Sequence, residues 1–265
     1  MSADVIDYKI VGDDLQAVIV TLDPGEAVAA EAGVMMFMDD GIEMGTQLSM
    51  KREGGGLFGK LFEAGKRVLT GDSFFITFFA NQSNVRRDVA FAAPYPGHVL
   101  PLELGEFGGE LLCQKDSFLC AARGVEIDIA FTKRIGAGLF GGEGFILQRL
   151  RAPAGRGLAI CHAGGSIIAK DLAPGERLRV DTGCIVAFQK SVDYDIQFVG
   201  GFKNALFGGE GLFFARLTGP GRVWLQTLPF SRLADRVIAS APSHGGRAQG
   251  EGSVLGGLGR MISGD

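Results

Sequence analysis

The sequence is short of the residues on which most enzyme chemistry depends. It carries three histidines, four cysteines and one tryptophan in 265 residues. His98, His162 and His244 lie far apart, and none of Cys113, Cys120, Cys161 and Cys184 belongs to a CxxC pair, so no spacing points to a zinc site or a redox couple. The four cysteines sit in apolar, strand-like stretches and read as buried, reduced thiols. Cys161 and His162 are strand neighbours facing opposite ways, which excludes them as a nucleophile and base pair, whereas a meeting of His98 with Cys113 or His162 stays open. The motifs GxSxG, P-loop and HExxH are all missing.

Positive charge is also scarce. Lys and Arg total 26 against 30 Asp and Glu, a formal net charge of −4. Without clustered cations the chain has no electrostatic footprint for nucleic acid, which is excluded as a partner. No run of 18 apolar residues offers an ordinary membrane span. The first seven residues are polar and include acids, unlike a secretory or transit leader. The expected localisation is cytoplasmic, with membrane association left open.

What is abundant is glycine, 42 residues, together with 20 phenylalanines. Glycine supplies the positive-φ positions of tight turns, and phenylalanine suits a sheet interior, so the composition reads as a turn-rich β protein. Strands are expected at 15–22, 73–80, 125–131, 192–199 and 221–227, where apolar and polar residues alternate between turn signals. No helical pattern separates them, which excludes a parallel βαβ sheet.

The chain repeats itself. Leu139-Phe140-Gly141-Gly142-Glu143-Gly144 returns unchanged as Leu206-Phe207-Gly208-Gly209-Glu210-Gly211, 67 residues later. At the same offset Val125-Glu126-Ile127-Asp128-Ile129 answers Val192-Asp193-Tyr194-Asp195-Ile196. Pro24-Gly25-Glu26 answers Pro174-Gly175-Glu176, and Leu69-Thr70-Gly71-Asp72-Ser73-Phe74 reads as a degenerate first copy of the glycine turn. Units of about 15–103, 104–170 and 171–229 follow, and three units stacked into one body bury what each alone cannot. The expected fold is all-β, with three internal repeats of a short antiparallel β sandwich or double-stranded β-helix around a pseudo-threefold axis, and one or two short helices. The single domain covers 1–239. It closes with a helix at 230–239 whose apolar positions are Phe230, Leu233, Ala234, Val237 and Ile238, with Ser231 as cap. A glycine- and serine-rich tail at 240–265 reads as disordered.

Gly136-Ala137-Gly138-Leu139-Phe140-Gly141 matches the dinucleotide expression GxGxxG, but a strand follows it rather than a helix, and no acid lies between Glu143 and Asp171. No cofactor or metal is therefore assigned. Gly141, Gly142, Gly208 and Gly209 read as hairpin-turn residues. Glu143 and Glu210, each six residues before an arginine (Arg149, Arg216), read as structural ion-pair partners rather than as an acid and base pair.

One segment exceeds what a loop requires. Within 54–69, Leu57, Phe58, Leu61 and Phe62 form an apolar helical face, while Lys60, Lys66 and Arg67 add positive charge to an acidic protein. These seven residues are the candidate contact with a membrane surface, a partner protein or another subunit; a helix folded back on the sheet is the plainer reading.

The three-unit layout, the LFGGEG turns, the GLFGKLF insertion, the Pro-Gly-Glu elements and Leu225-Gln226-Thr227-Leu228-Pro229 together resemble a family of bacterial and archaeal proteins. They are related to the fungal mitochondrial-biogenesis protein called altered inheritance of mitochondria 24. The resemblance spans about residues 8–240 and implies a β fold of three repeats, similar to the subunit of the tryptophan RNA-binding attenuation protein. It implies no activity, and no Lys/Arg cluster matches that protein's RNA contacts. The expected function is a non-enzymatic binding or scaffold protein acting at a membrane surface or with a partner complex, and a homo-oligomer is compatible with it. The alternative is an enzyme or small-ligand binder with a site at the repeat interfaces.

Overall fold

The computed structural model describes residues 3–46, 76–133, 145–198 and 213–240. The chain divides into two compact units, Met1–Ser231 and Arg232–Asp265. Nineteen strands occur among the described residues of the first. The first seven are β1 (Asp7–Val11), β2 (Ala17–Leu22), β3 (Ala27–Glu31), β4 (Met35–Met38), β5 (Ile42–Thr46), β6 (Ile76–Asn81) and β7 (Arg87–Ala92). Next come β8 (Gly97–Glu103), β9 (Glu110–Gln114), β10 (Phe118–Ala122), β11 (Glu126–Lys133), β12 (Phe145–Arg151) and β13 (Leu158–Gly164). The last six are β14 (Ile167–Leu172), β15 (Arg177–Asp181), β16 (Ile185–Gln189), β17 (Asp193–Phe198), β18 (Phe213–Thr218) and β19 (Gly221–Gln226). Helix α1 (Phe230–Ser240) follows. It starts at once after Pro229, so Ser231 lies inside its first turn rather than at the cap. No helix among the described residues is long and apolar enough to cross a membrane.

The strands form four antiparallel sheets. The first runs β1-β2-β7-β4, the second β5-β6-β3-β10-β13-β8, the third β11-β12-β9-β16-β19-β14 and the fourth β15-β18-β17. The order of the third sheet is that of the second with six added to every strand number. Hydrogen bonding groups β8 with β13 and β14 with β19. Residues 170 and 171, on either side of the second expected unit boundary, both lie in β14, and β8, which ends at the first, pairs with β13.

Three apolar cores lie between successive sheets. Val18, Val20 and Phe91 of the first sheet meet Val28, Phe79 and Ile160 of the second, with Phe79 and Phe91 edge to face at 5.2 Å. Ala29, Ala121 and Cys161 of the second sheet meet Leu111, Leu150 and Trp224 of the third. Phe145, Leu147 and Phe188 of the third meet Val180, Ile196 and Leu217 of the fourth. Strands of the middle sheets are therefore buried on both faces: in β13, Leu158 and Ile160 face the first core while Ala159 and Cys161 face the second. Each large side chain buried this way contributes about 1.5–3 kcal/mol.

The two Pro-Gly-Glu elements fold alike. Glu26 Oε2 accepts from Asp23 N at 2.9 Å and Glu176 Oε2 from Ala173 N at 2.8 Å, and Gly25 and Gly175 have φ of 84° and 78°. At the start of β8, Gly97 bridges in parallel to Leu15 on one side and to Gly165 on the other. The approach there is too close for a side chain, because a Cβ on Gly97 would lie 2.1 Å from the Ala163 carbonyl oxygen and 2.7 Å from His162 Nε2. Gly97→Ala is expected to destabilise the protein by about 3 kcal/mol, read as a fall in the urea midpoint; an unchanged midpoint would contradict this packing.

Candidate functional site

The segment proposed from sequence as a contact surface (Leu57, Phe58, Lys60, Leu61, Phe62, Lys66, Arg67) lies outside the described residues. So do the turn residues Gly141, Gly142, Glu143, Gly208, Gly209 and Glu210, and His244. Arg149 and Arg216 are described: Arg149 Nε stands 3.1 Å from Glu110 Oε1, and Arg216 Nη2 donates to Asp195 Oδ2 at 3.0 Å.

His162 sits on β13 opposite Val99 of β8. Its ring lies over Gly97, where the missing side chain leaves room for it. Tyr95 packs edge-on against the imidazole with ring centres 4.6 Å apart, and Phe230 lies 5.3 Å from Tyr95. The Tyr95 hydroxyl donates to the Asp116 carbonyl at 3.1 Å. These groups, with Glu31 and Val34 from the end of β3 and the turn after it, line an open cleft of about 190 Å³.

The electrostatics of this cleft follow from burial. His162 is only 2% exposed, and its Nδ1 has no hydrogen-bond partner. Burial pushes its pKa down to about 4, and the neighbouring His98 adds to the shift. His98 Nδ1–H donates to the Gly165 carbonyl at 2.6 Å, which fixes its tautomer. Burial also raises the Tyr95 phenol, with the Asp116 carboxylate contributing in the same direction. At neutral pH the cleft thus presents a neutral imidazole and an un-ionised phenol, beside the side chains of Glu31 and Asp116. It can offer hydrogen bonds and aromatic contact to a small ligand. Among the described residues no group of three or more His, Cys, Asp or Glu converges to hold a metal ion.

His98 of β8 and His162 of β13, whose meeting the sequence left open, lie on paired strands, and two of the thiols also approach each other. Cys113 and Cys161 lie 3.5 Å apart, Sγ to Sγ, inside the second core; both are fully buried, as is Cys120. Burial pushes the Cys113 and Cys120 thiols well up, which makes them poor nucleophiles. Cys184 is half-buried, and none of the four is in a disulfide. What the sequence did not indicate is the surroundings of His162: Glu31, Tyr95, Asp116 and Phe230 come from four separate stretches, and no local motif joins them.

Comparison with known proteins agrees with this architecture. The profile of the mitochondrial biogenesis AIM24 family matches residues 8–228. The chain belongs to this family. A curated family relative, an uncharacterised protein of Streptococcus pyogenes serotype M6, is 30% identical over 225 residues, covering 84% of this chain and 86% of the relative. A crystal structure of another Streptococcus pyogenes protein shares the fold with a TM-score of 0.69 at 23% identity, covering 89% of this chain and all of that one.

Two outcomes are expected. A histidine whose folded pKa is depressed stays neutral in the folded state while the unfolded chain takes up a proton. Its contribution is therefore neutral above about pH 6.5 and becomes a loss of stability as pH falls from about 6.5 to about 4, reaching at most about 3 kcal/mol. His162→Gln should flatten that part of the urea midpoint against pH curve, and an unchanged slope would contradict the buried neutral imidazole. In native buffer a thiol reagent should modify Cys184 first, with Cys113, Cys120 and Cys161 reacting only on unfolding; prompt labelling of Cys161 would contradict the core assignment.

Proposed function

We propose that the protein is a non-enzymatic scaffold that works by association, and that its strands are three copies of one six-stranded unit. In this reading β2 to β7, β8 to β13 and β14 to β19 are equivalent sets, with boundaries at Gly97 and Ile167. The support is the constant increment of six in sheet order, and a register shift that recurs at the same place. It lies between Met35 and Phe37 in β4, Phe118 and Cys120 in β10, and Ile185 and Ala187 in β16.

The observation that carries the reading is the exposure of β4. Met35, Met36, Phe37 and Met38 are 36, 58, 45 and 37% exposed, while β10 is buried throughout and β16 nearly so. Four consecutive large apolar side chains on a free strand edge are a ready template for another chain, and methionine adapts readily to a partner. A resemblance to the attenuation-protein fold is compatible with such a role, and so is a membrane surface as the place where the scaffold acts.

The test compares wild type with a Met36→Asp, Met38→Asp variant by native mass spectrometry and by sedimentation with anionic vesicles. Wild type should populate species above the 28.0 kDa chain and the variant should not, with its melting temperature kept within a few degrees. Loss of vesicle binding instead would assign the strand to a lipid surface. A wild type that is monomeric and does not sediment would overturn the reading.

A further inference from the structure

Two sheet junctions inside the chain have the same geometry. At the first, β3 pairs with β10: Ala30 faces Cys120, Ala29 faces Ala121 and Val28 faces Ala122. At the second, β9 pairs with β16: Cys113 faces Ala187, Leu112 faces Phe188 and Leu111 faces Gln189. Counted from the shared register shift, Phe37 occupies the position of Cys120 and Ala187, and Val180 that of Ala30 and Cys113.

The strands that would form a third junction, β15 and β4, are both present, and among the described residues no strand pairs with either at that edge. β15 ends the fourth sheet and β4 ends the first. Each is more exposed than its counterparts. β4 is exposed throughout, and in β15 both Arg177 and Arg179 are exposed, whereas β3 and β9 are buried over four of their five residues. The parallel bridges agree, since among the described residues Gly97 is bridged on both sides but Leu15 and Gly165 on one side only. Among the described residues the series ends at β4 on one side and at β15 on the other.

Charge supplies an independent indication of what fits. One step beyond Leu111–Gln189, Lys190 Nζ lies 3.0 Å from Glu110 Oε2, an ion pair across the second junction. The same step at the third junction sets Arg177 opposite Asp40, again opposite in sign, and both are exposed. Met38 falls opposite Arg179, where the internal junctions have only apolar pairs.

We infer that β15 of one copy pairs antiparallel with β4 of a second copy, with Phe37 opposite Val180, Met38 opposite Arg179 and Asp40 opposite Arg177. The new sheet runs β17-β18-β15 of one molecule into β4-β7-β2 of the next and has the strand order of the two internal six-stranded sheets. The contact is heterologous, so copies add head to tail and form a ring where the rotation closes. Because it carries Arg177, Arg179 and Asp40 in place of apolar residues, it weakens with salt, unlike the internal junctions. The inference rests on the association reading above and names its partner.

The experiment mixes two single variants, Met38→Cys and Arg179→Cys, under mild oxidation. A covalent dimer is expected in the mixture and in neither variant alone, and less of it at high salt. A second arm uses Asp40→Arg, which should weaken assembly, and Asp40→Arg with Arg177→Asp, which should restore it. If wild type assembles by native mass spectrometry but the mixture gives no cross-link, this pairing is overturned while the association reading stands. If wild type is monomeric, both fall. If a double variant, Met38→Cys with Arg179→Cys, cross-links only within itself, the third junction is internal and the second copy is not its partner.

Discussion

Everything in the fold depends on the burial of the central strands on both faces. The second and third sheets each separate two apolar cores, so their backbone hydrogen bonds must be satisfied within the sheet and their side chains must be apolar on either side. That condition explains the sequences FLCAA in β10, LAICHAG in β13 and IVAFQ in β16, which leave almost no polar position. It also explains why the junctions β3–β10 and β9–β16 matter more than any single contact: each ties one sandwich to the next through main-chain bonds already shielded from water. The first and fourth sheets each face one of these cores only.

A protein built this way has little need of disulfides. Three cores in one compact unit are large enough to hold the fold by apolar burial, and the cysteines serve as small hydrophobes within it. Polar specificity is concentrated at the rims of the sheets. Arg86 bonds Asp7 and Asp23, Arg151 bonds Glu126, and Arg222 bonds Asp171. Such exposed pairs add little stability and set register and solubility instead.

The β class and the two Pro-Gly-Glu turns were legible in the sequence, because alternation and turn residues specify local geometry. The double-sided strands were not. Alternation marks a strand with one wet face, and Phe118–Ala122 or Leu158–Gly164 have none. The same limit hid β4: Met35-Met36-Phe37-Met38 reads like the buried runs, and only sheet order distinguishes an exposed edge from a covered centre. The pairing of β8 with β13 and of β14 with β19 was not legible either, because long-range partners leave no local mark. The cleft at His162 was out of reach for the same reason, since Tyr95, Asp116 and Phe230 approach it through the fold alone.

The central claim is that β4 and β15 are two halves of one junction that needs a second copy to close. Hydrogen–deuterium exchange followed over a range of protein concentrations measures this at the level of backbone amides. The account predicts that peptides covering Met35–Met38 and Arg177–Asp181 become protected together as concentration rises, while those covering Ala27–Glu31 and Phe118–Ala122 stay protected throughout. Exchange in β4 and β15 that does not depend on concentration, in a sample that is otherwise assembled, would contradict it.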